Sequence, residues 1–127
     1  MARATHVPEL GDVQLQKTYL YYDGPLLFSC RNQEGELSFW AWVDSDDVGY
    51  RYMVVKISAA RLTAVERDGV AIRDIWLGAE DGQIMVVAFE DGEPYTASST
   101  TFWTPETPEL QEWLTDPGVF LSFDGVG

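Results

Sequence analysis

The side chains with the greatest capacity for chemistry in this sequence are carboxylates, and they gather in its C-terminal part. No Lys or Arg follows Arg73, whereas 11 Asp and Glu residues do. Residues 1–73 contain all 8 basic side chains and 10 acidic ones, a balance of 8 − 10 = −2, against −11 for the rest of the chain. The negative electrostatic potential of such a C-terminal part attracts basic partners and repels nucleic acid and anionic membranes. The candidate binding carboxylates are Glu90, Asp91, Glu93, Glu106, Glu109, Glu112 and Asp116.

A second acidic group has the beginning of a calcium-loop pattern. Asp44, Asp46 and Asp47 supply oxygen ligands at short intervals. The fifth and twelfth positions of such a loop are Val48 and Val55, where an oxygen ligand and a glutamate are required. We therefore expect a solvated turn here, and no metal site.

Residues for nucleophilic or acid–base catalysis are scarce. The single histidine, His6, lies in an N-terminal stretch without sustained periodicity, and the single cysteine, Cys30, lies in an apolar run typical of a strand. Asp74, Glu90 or Glu93 could serve as paired carboxylates of a hydrolase, but pairs arise by chance among 21 acidic residues. The sequence also lacks a phosphate-binding glycine motif, so we predict no catalytic residue and no cofactor.

The elements that position these residues begin with four β-rich runs separated by turn residues. The runs cover residues 13–22, 26–31, 37–43 and 50–57. Their short connections predict an antiparallel meander.

The third run is apolar on both faces, because Phe39 and Ala41 alternate with Trp40 and Trp42. This pattern is expected of a central strand covered on both sides, or of a sheet whose second face receives a partner. Trp40 and Trp42 are therefore added to the candidate binding residues.

Helical signals follow the fourth run. Ser58 can cap a helix over residues 59–67, with Leu62 and Val65 pointing inward. Residues 72–77 favour a second short helix, with a strand as the alternative because of their β-branched content.

The remainder of the chain predicts two strands, a helical turn and a last apolar run. Residues 83–89 are typical of a strand, and residues 93–101 of a more polar edge strand. Pro108 suits the first position of a helical turn over residues 108–114. Residues 119–123 form the last apolar run.

The predicted fold class is α+β: an antiparallel β-meander with two or three short helices in a single domain. Residues 1–12 are expected to be a flexible leader and residues 13–127 the domain. The hydrophobic content of 46% and aromatic content of 13% are sufficient for a packed core at this length. One cysteine excludes an internal disulfide, and the sequence shows neither a secretory signal nor a membrane span, which favours the cytoplasm.

Residues 19–76 contain a Tyr-rich strand (YLYY), the Asp23-Gly24-Pro25 turn, and the Ile57-Ser58 entry to a helix. Through these features the segment resembles a family of small uncharacterised bacterial domains. The resemblance implies an α+β fold and a bacterial or phage origin. That family has no assigned activity, so no functional residue is transferred.

The leading hypothesis is a non-enzymatic acidic domain that caps a basic partner surface. It would act like an immunity protein, an antitoxin or an anti-defence inhibitor, possibly on a nuclease or toxin, because spaced carboxylates can imitate phosphates. An acidic housekeeping domain and a carboxylate-based hydrolase remain as alternatives. No direct contact with nucleic acid or membrane is expected.

Overall fold

The computed structural model describes residues 5–7, 10–21, 25–45, 49–67, 69–90, 99–112 and 114. Within these residues, seven strands form one antiparallel sheet whose spatial order follows the chain. The strands are β1 (Thr5–Val7), β2 (Gly11–Tyr21), β3 (Pro25–Asn32), β4 (Leu37–Ser45), β5 (Gly49–Ile57), β6 (Ile84–Glu90) and β7 (Ser99–Trp103). Two α-helices, α1 (Ala59–Glu66) and α2 (Ile72–Leu77), connect β5 to β6, and a 3₁₀ helix (Pro108–Glu112) follows β7. The antiparallel meander is confirmed, and helices are a minor part of the described chain.

Ordered sheet begins earlier than the sequence suggested. Residues 1–12 were expected to be a loose leader, but β1 pairs with β2 through the partners His6 and Asp12. Val7 is fully buried, and Leu10 is buried beside it. Leu10 also donates its backbone N–H to the Val7 carbonyl in the turn between the two strands. The sequence gives no signal for this strand because three residues carry no periodicity, and the burial of Val7 depends on contacts with distant strands.

The helices cover one face of the sheet, which we call the helix-bearing face. Its core contains Phe39 from β4, Val55 from β5, Leu62 and Val65 from α1, Trp76 from α2 and Leu110 from the 3₁₀ helix. Leu62 and Val65 point inward as predicted. Helical packing therefore fixes both α1 and the 3₁₀ helix against β4 and β5.

The opposite face of the sheet, which we call the aromatic face, is concave. Phe28 and Tyr52 lie on strands separated by β4, yet their ring centroids are 5.5 Å apart. Trp40 and Phe89, separated by β5, have centroids 6.4 Å apart. Backbones two strands apart in a flat sheet are about 9.5 Å apart, so these side chains converge as on the inside of a curled sheet.

Local signals explain how the helices begin. Ser58 is extended and its hydroxyl accepts a hydrogen bond from the Arg61 N–H at 3.1 Å, which caps α1 as predicted. The helical alternative for residues 72–77 is the one adopted, and Gly78 follows α2 at its C-cap. Within the predicted turn at residues 108–114, Pro108–Glu112 form a 3₁₀ helix.

One glycine is required by close packing of two strands. A Cβ atom on Gly49 would lie 1.8 Å from the carbonyl oxygen of Phe89, which β6 places beside it. No side chain fits there unless the backbone moves. Gly49 therefore allows β5 to pair with β6 from its first residue.

The predicted edge strand corresponds to β7, the last strand in the sheet order, which is described from Ser99 to Trp103. Residues 93–98 of that prediction lie outside the described residues. The predicted apolar run at residues 119–123 lies outside the described residues. In the described part of the chain, no helix has the length and apolarity needed to span a membrane.

Candidate functional site

The 3₁₀ helix presents exposed carboxylates from a firmly held segment. Glu106, Glu109 and Glu112 are exposed, whereas Leu110 between them is fully buried. Thr107 holds the start of this segment: its hydroxyl accepts a hydrogen bond from the Thr104 N–H at 3.0 Å. The helix therefore buries one side chain and directs its acidic ones to solvent.

The geometry of this helix aligns two of the carboxylates. Glu109 and Glu112 are three residues apart within the 3₁₀ helix Pro108–Glu112. Side chains at this spacing eclipse one another in 3₁₀ geometry, with an axial rise of about 6 Å for three residues. Glu109 and Glu112 therefore form a short ladder of negative charge, which we call the carboxylate ladder.

A contact between helices holds the carboxylate ladder against α2. Arg73 of α2 donates a hydrogen bond from Nη2 to Oε1 of Gln111 at 3.2 Å. Asp74, the next residue of α2, is exposed. The helix-bearing side of the protein thus carries acidic groups from two neighbouring helices.

The structure brings together only some of the candidate carboxylates. Glu90 is exposed at the end of β6, where alternation with Phe89 places it on the helix-bearing side of the sheet. Asp91, Glu93 and Asp116 lie outside the described residues.

Trp40 and Trp42 share the aromatic face but differ in exposure. Trp40 is 2% exposed, and its indole N–H donates to the Ser38 hydroxyl at 2.9 Å. Trp42 is 41% exposed. Trp40 is therefore a core residue, whereas Trp42 presents apolar surface to solvent.

A row of paired residues crosses the aromatic face from β3 to β7. Its members are Phe28, Trp40, Val54, Met85 and Phe102, each paired with the next. Phe102, at the end of this row, is 47% exposed. Sequence reasoning missed Phe102 because the predicted strand stopped at residue 101. The aromatic residues Phe102 and Trp103, which favour strands, directly follow the predicted end and could have suggested a longer strand.

The carboxylate ladder and the exposed aromatic residues lie on opposite faces of the sheet. Leu110 packs in the core of the helix-bearing face, while Trp40 packs in the core of the aromatic face. The structure therefore does not combine the predicted acidic and tryptophan residues into one site.

Burial determines what the single cysteine can do. Cys30 is 4% exposed, and desolvation raises the pKa of its thiol to about 12. Its sulfur is therefore a thiol at neutral pH, a weak nucleophile and a weak metal ligand.

The single histidine lies on a strand and is exposed. His6 Nδ1 lies 2.9 Å from Asp12 Oδ1, and the side chains of both residues are about half exposed, at 50% and 47%. Within the described residues, no group of three or more His, Cys, Asp or Glu side chains is arranged to hold a metal ion.

Comparison with known proteins gives the chain a family. A family model described as a family of unknown function, DUF6575, matches residues 5–109. The matched segment begins at β1 and ends inside the 3₁₀ helix. No curated protein and no solved structure matched the chain. The family model covers most of the sequence and agrees with the resemblance to an uncharacterised family, so the chain belongs to the DUF6575 family.

Proposed function

We propose that this protein is a non-enzymatic domain that binds a basic protein through the carboxylates of its C-terminal part. The observation that carries this proposal is the carboxylate ladder, in which Glu109 and Glu112 are exposed on a helix anchored by the buried Leu110. With a net charge of −13, the whole chain adds a long-range attraction to this local surface.

Anchoring matters because binding must overcome the entropy of immobilised side chains and loops. A helix already fixed by Leu110 and by the hydrogen bond from Arg73 to Gln111 needs little further ordering when a partner arrives. Its carboxylates can then form charge-assisted hydrogen bonds with Lys or Arg at a small entropic penalty.

The partner that fits this surface best is a protein with a basic groove, such as a nuclease or a toxin. Regularly spaced carboxylates can occupy positions that phosphates take in nucleic acid. The protein then acts as an immunity protein, an antitoxin or an anti-defence inhibitor. We place it in the cytoplasm, where the free thiol of Cys30 is compatible with a reducing environment.

A matched pair of charge reversals tests this proposal. The tagged protein is used to capture its partner from the source cell, and the partner is identified by mass spectrometry and purified. Its Kd is then measured for the wild type, Glu109→Lys and Glu34→Lys. Both reversals change the net charge by two, and Glu34 is also exposed, on the β3–β4 turn.

We expect Glu109→Lys to weaken binding by at least about tenfold, or 1.4 kcal/mol, and Glu34→Lys by less than about threefold. Equal losses of affinity from the two reversals would indicate that the acidic residues act only through the net charge of the chain, as expected of an acidic housekeeping domain. Unchanged binding by Glu109→Lys would refute a role for the ladder.

A further inference from the structure

The last described strand of the sheet, β7, has an outer edge along which a further strand can pair. Among the described strands, β7 has a neighbour on one side only, and that neighbour is β6. Five consecutive residue pairs join the two strands without a register shift. In such a regular antiparallel strand, the N–H and C=O groups of alternate residues point away from the neighbour. The edge of β7 over residues 99–102 therefore presents backbone donors and acceptors in the spacing that another strand requires.

β7 lacks the features by which proteins usually protect an edge strand. These features are charged side chains, proline, a β-bulge or a very short strand. β7 has five residues, Ser99–Trp103, with no proline and no charged side chain among them. The edge strand on the other side of the described sheet, β1, has only three residues and carries His6 beside the carboxylate of Asp12. Of these two edges, β7 is therefore the one suited to pair with another chain.

The side chains of β7 leave room for such a strand. Ser99, Thr101 and Phe102 are exposed, and the exposed fraction of Phe102 is 47%. Phe102 lies on the aromatic face and Thr101 on the helix-bearing face, because side chains alternate along a strand. In an added strand, the residue directly opposite each of them would lie about 5 Å away, where β-branched and aromatic side chains pack well.

The charges around β7 indicate which strand fits. Glu90 is exposed at the end of β6, beside the start of β7, and Glu106 is exposed three residues after β7 ends. No Lys or Arg follows Arg73, and the net charge of the chain is −13. A second copy of this chain would bring the same carboxylates to the edge, and like charges repel. The complementary segment is uncharged where it pairs with β7 and carries Lys or Arg at each end.

We propose that β7 binds an extended segment of a basic protein, which adds to the sheet as a further strand. The segment matches the five residues of β7 with uncharged, β-branched or aromatic residues. Its backbone hydrogen bonds supply affinity, and its cationic ends meet Glu90 and Glu106. This inference rests on the proposed basic partner and specifies how part of that partner is held.

A synthetic peptide with this pattern tests the inference. The peptide is acetyl-Lys-Lys-Thr-Val-Thr-Val-Thr-Lys-Lys-amide, and its binding to the full chain is measured by calorimetry. We expect saturable binding with a Kd below about 1 mM. The control is the same peptide N-methylated at two adjacent central residues, which removes one N–H from each of its edges and leaves its charge unchanged. The control should bind at least about tenfold more weakly.

Amide hydrogen exchange, followed by nuclear magnetic resonance, locates the bound peptide. Among Thr100, Thr101 and Phe102, the N–H groups that point away from β6 should exchange about tenfold more slowly when the peptide is present at about ten times its Kd. Amides of β1, at the other edge of the described sheet, should exchange as they do in the free protein.

Two exposed aromatic residues on the same face of the sheet provide matched variants. Phe102→Ala should weaken binding of the peptide by about threefold, because it removes a side chain that the added strand contacts. Trp42→Ala removes a similarly exposed ring from β4, inside the sheet, and should change the Kd by less than about 1.5-fold. Circular dichroism of each variant confirms folding.

Four results would overturn the inference. The first is no saturable heat with the wild type at about 2 mM peptide. The second is equal affinity for the peptide and its N-methylated control. The third is unchanged exchange of the β7 amides in the saturated complex. The fourth is protection of these amides in the free protein that increases with protein concentration, which would assign the edge to a second copy.

Glu109→Lys separates this inference from the proposed function. If this variant binds the peptide more weakly and the β7 amides remain unprotected in the wild type, strand addition is wrong and the basic partner of the carboxylate ladder stands. If the β7 amides are protected and Glu109→Lys binds the peptide as the wild type does, strand addition is supported without a contribution from the ladder.

Discussion

The phenol of Tyr19 donates a hydrogen bond to Glu66 Oε2 at 2.5 Å, which ties β2 to the last residue of α1. Its oxygen also lies 3.2 Å from the hydroxyl of Ser29, which is fully buried. Because the Tyr19 proton is directed at Glu66, the Ser29 hydroxyl is the donor in the second bond. The Tyr19 ring stacks on Phe39, with centroids 5.8 Å apart. One side chain thus links the sheet, the helix and the core.

Tyr19→Phe removes both hydrogen bonds and leaves the buried Ser29 hydroxyl without this partner. We expect a loss of about 1–3 kcal/mol in the free energy of unfolding, measured by urea denaturation. The control is Lys17→Met: the Lys17 ammonium is 3.9 Å from Glu66 and 61% exposed, so its loss should change stability by less than about 1 kcal/mol. Equal effects from the two variants would contradict a structural role for the phenol.

Two tyrosines should ionise at a higher pH than an ordinary tyrosine, and their ionisation should destabilise the fold at alkaline pH. The pKa of Tyr19 is raised to about 12 by burial and by its hydrogen bond to Glu66. The pKa of Tyr52 is also raised to about 12, chiefly by burial. Since the folded-state pKa exceeds the ordinary value of 10, the stability that these groups contribute is complete below pH 10 and declines as pH rises towards 12.

Ultraviolet absorbance of phenolate, followed during a base titration, checks this expectation. Tyr19→Phe and Tyr52→Phe should each remove one group that ionises near pH 12. Removal of a group that ionises near pH 10 instead would show that the environment of that tyrosine is not as described.

The first strand should contribute to stability. Val7→Ala removes buried methyl groups from the core of the aromatic face, and we expect it to destabilise the protein by about 2 kcal/mol. Gln14→Ala, at an exposed position of β2, should stay within about 0.5 kcal/mol. If Val7→Ala changes the free energy of unfolding in urea as little as Gln14→Ala does, residues 5–7 behave as the loose leader that the sequence suggested.

Local signals predicted the helices well, but they did not predict β1. The Ser58 hydroxyl caps α1 by accepting from the Arg61 N–H three residues later, so a few neighbouring residues were sufficient to predict where this helix begins.

Val7 is buried by residues from strands far along the chain, and no local pattern encodes that contact. Phe102 was missed for a related reason, because the end of an edge strand is determined by pairing with Met85 rather than by its own residues. The sequence identified the candidate carboxylates and their positions along the chain. It could not show that they lie on the face opposite to Trp42, because that arrangement depends on the packing of Leu110 in the core of the helix-bearing face.

The two tryptophans of β4 should respond differently to the same substitution. Trp40→Phe leaves a cavity in the core and the Ser38 hydroxyl without its indole donor, so we expect a loss of about 2–4 kcal/mol. Trp42→Phe should cost less than about 1 kcal/mol because Trp42 is 41% exposed. Thermal denaturation followed by near-ultraviolet circular dichroism measures both. A larger loss from Trp42→Phe would reverse the assignment of core and surface.

The most direct test of the central claim is the association rate with the captured partner as a function of salt. If the acidic surface steers a basic protein, stopped-flow measurements should show the rate falling at least about tenfold between about 50 and 500 mM salt. Glu109→Lys should flatten this dependence more than Glu34→Lys. An association rate that does not change with salt would contradict the account and assign binding to the exposed Trp42 and Phe102 instead.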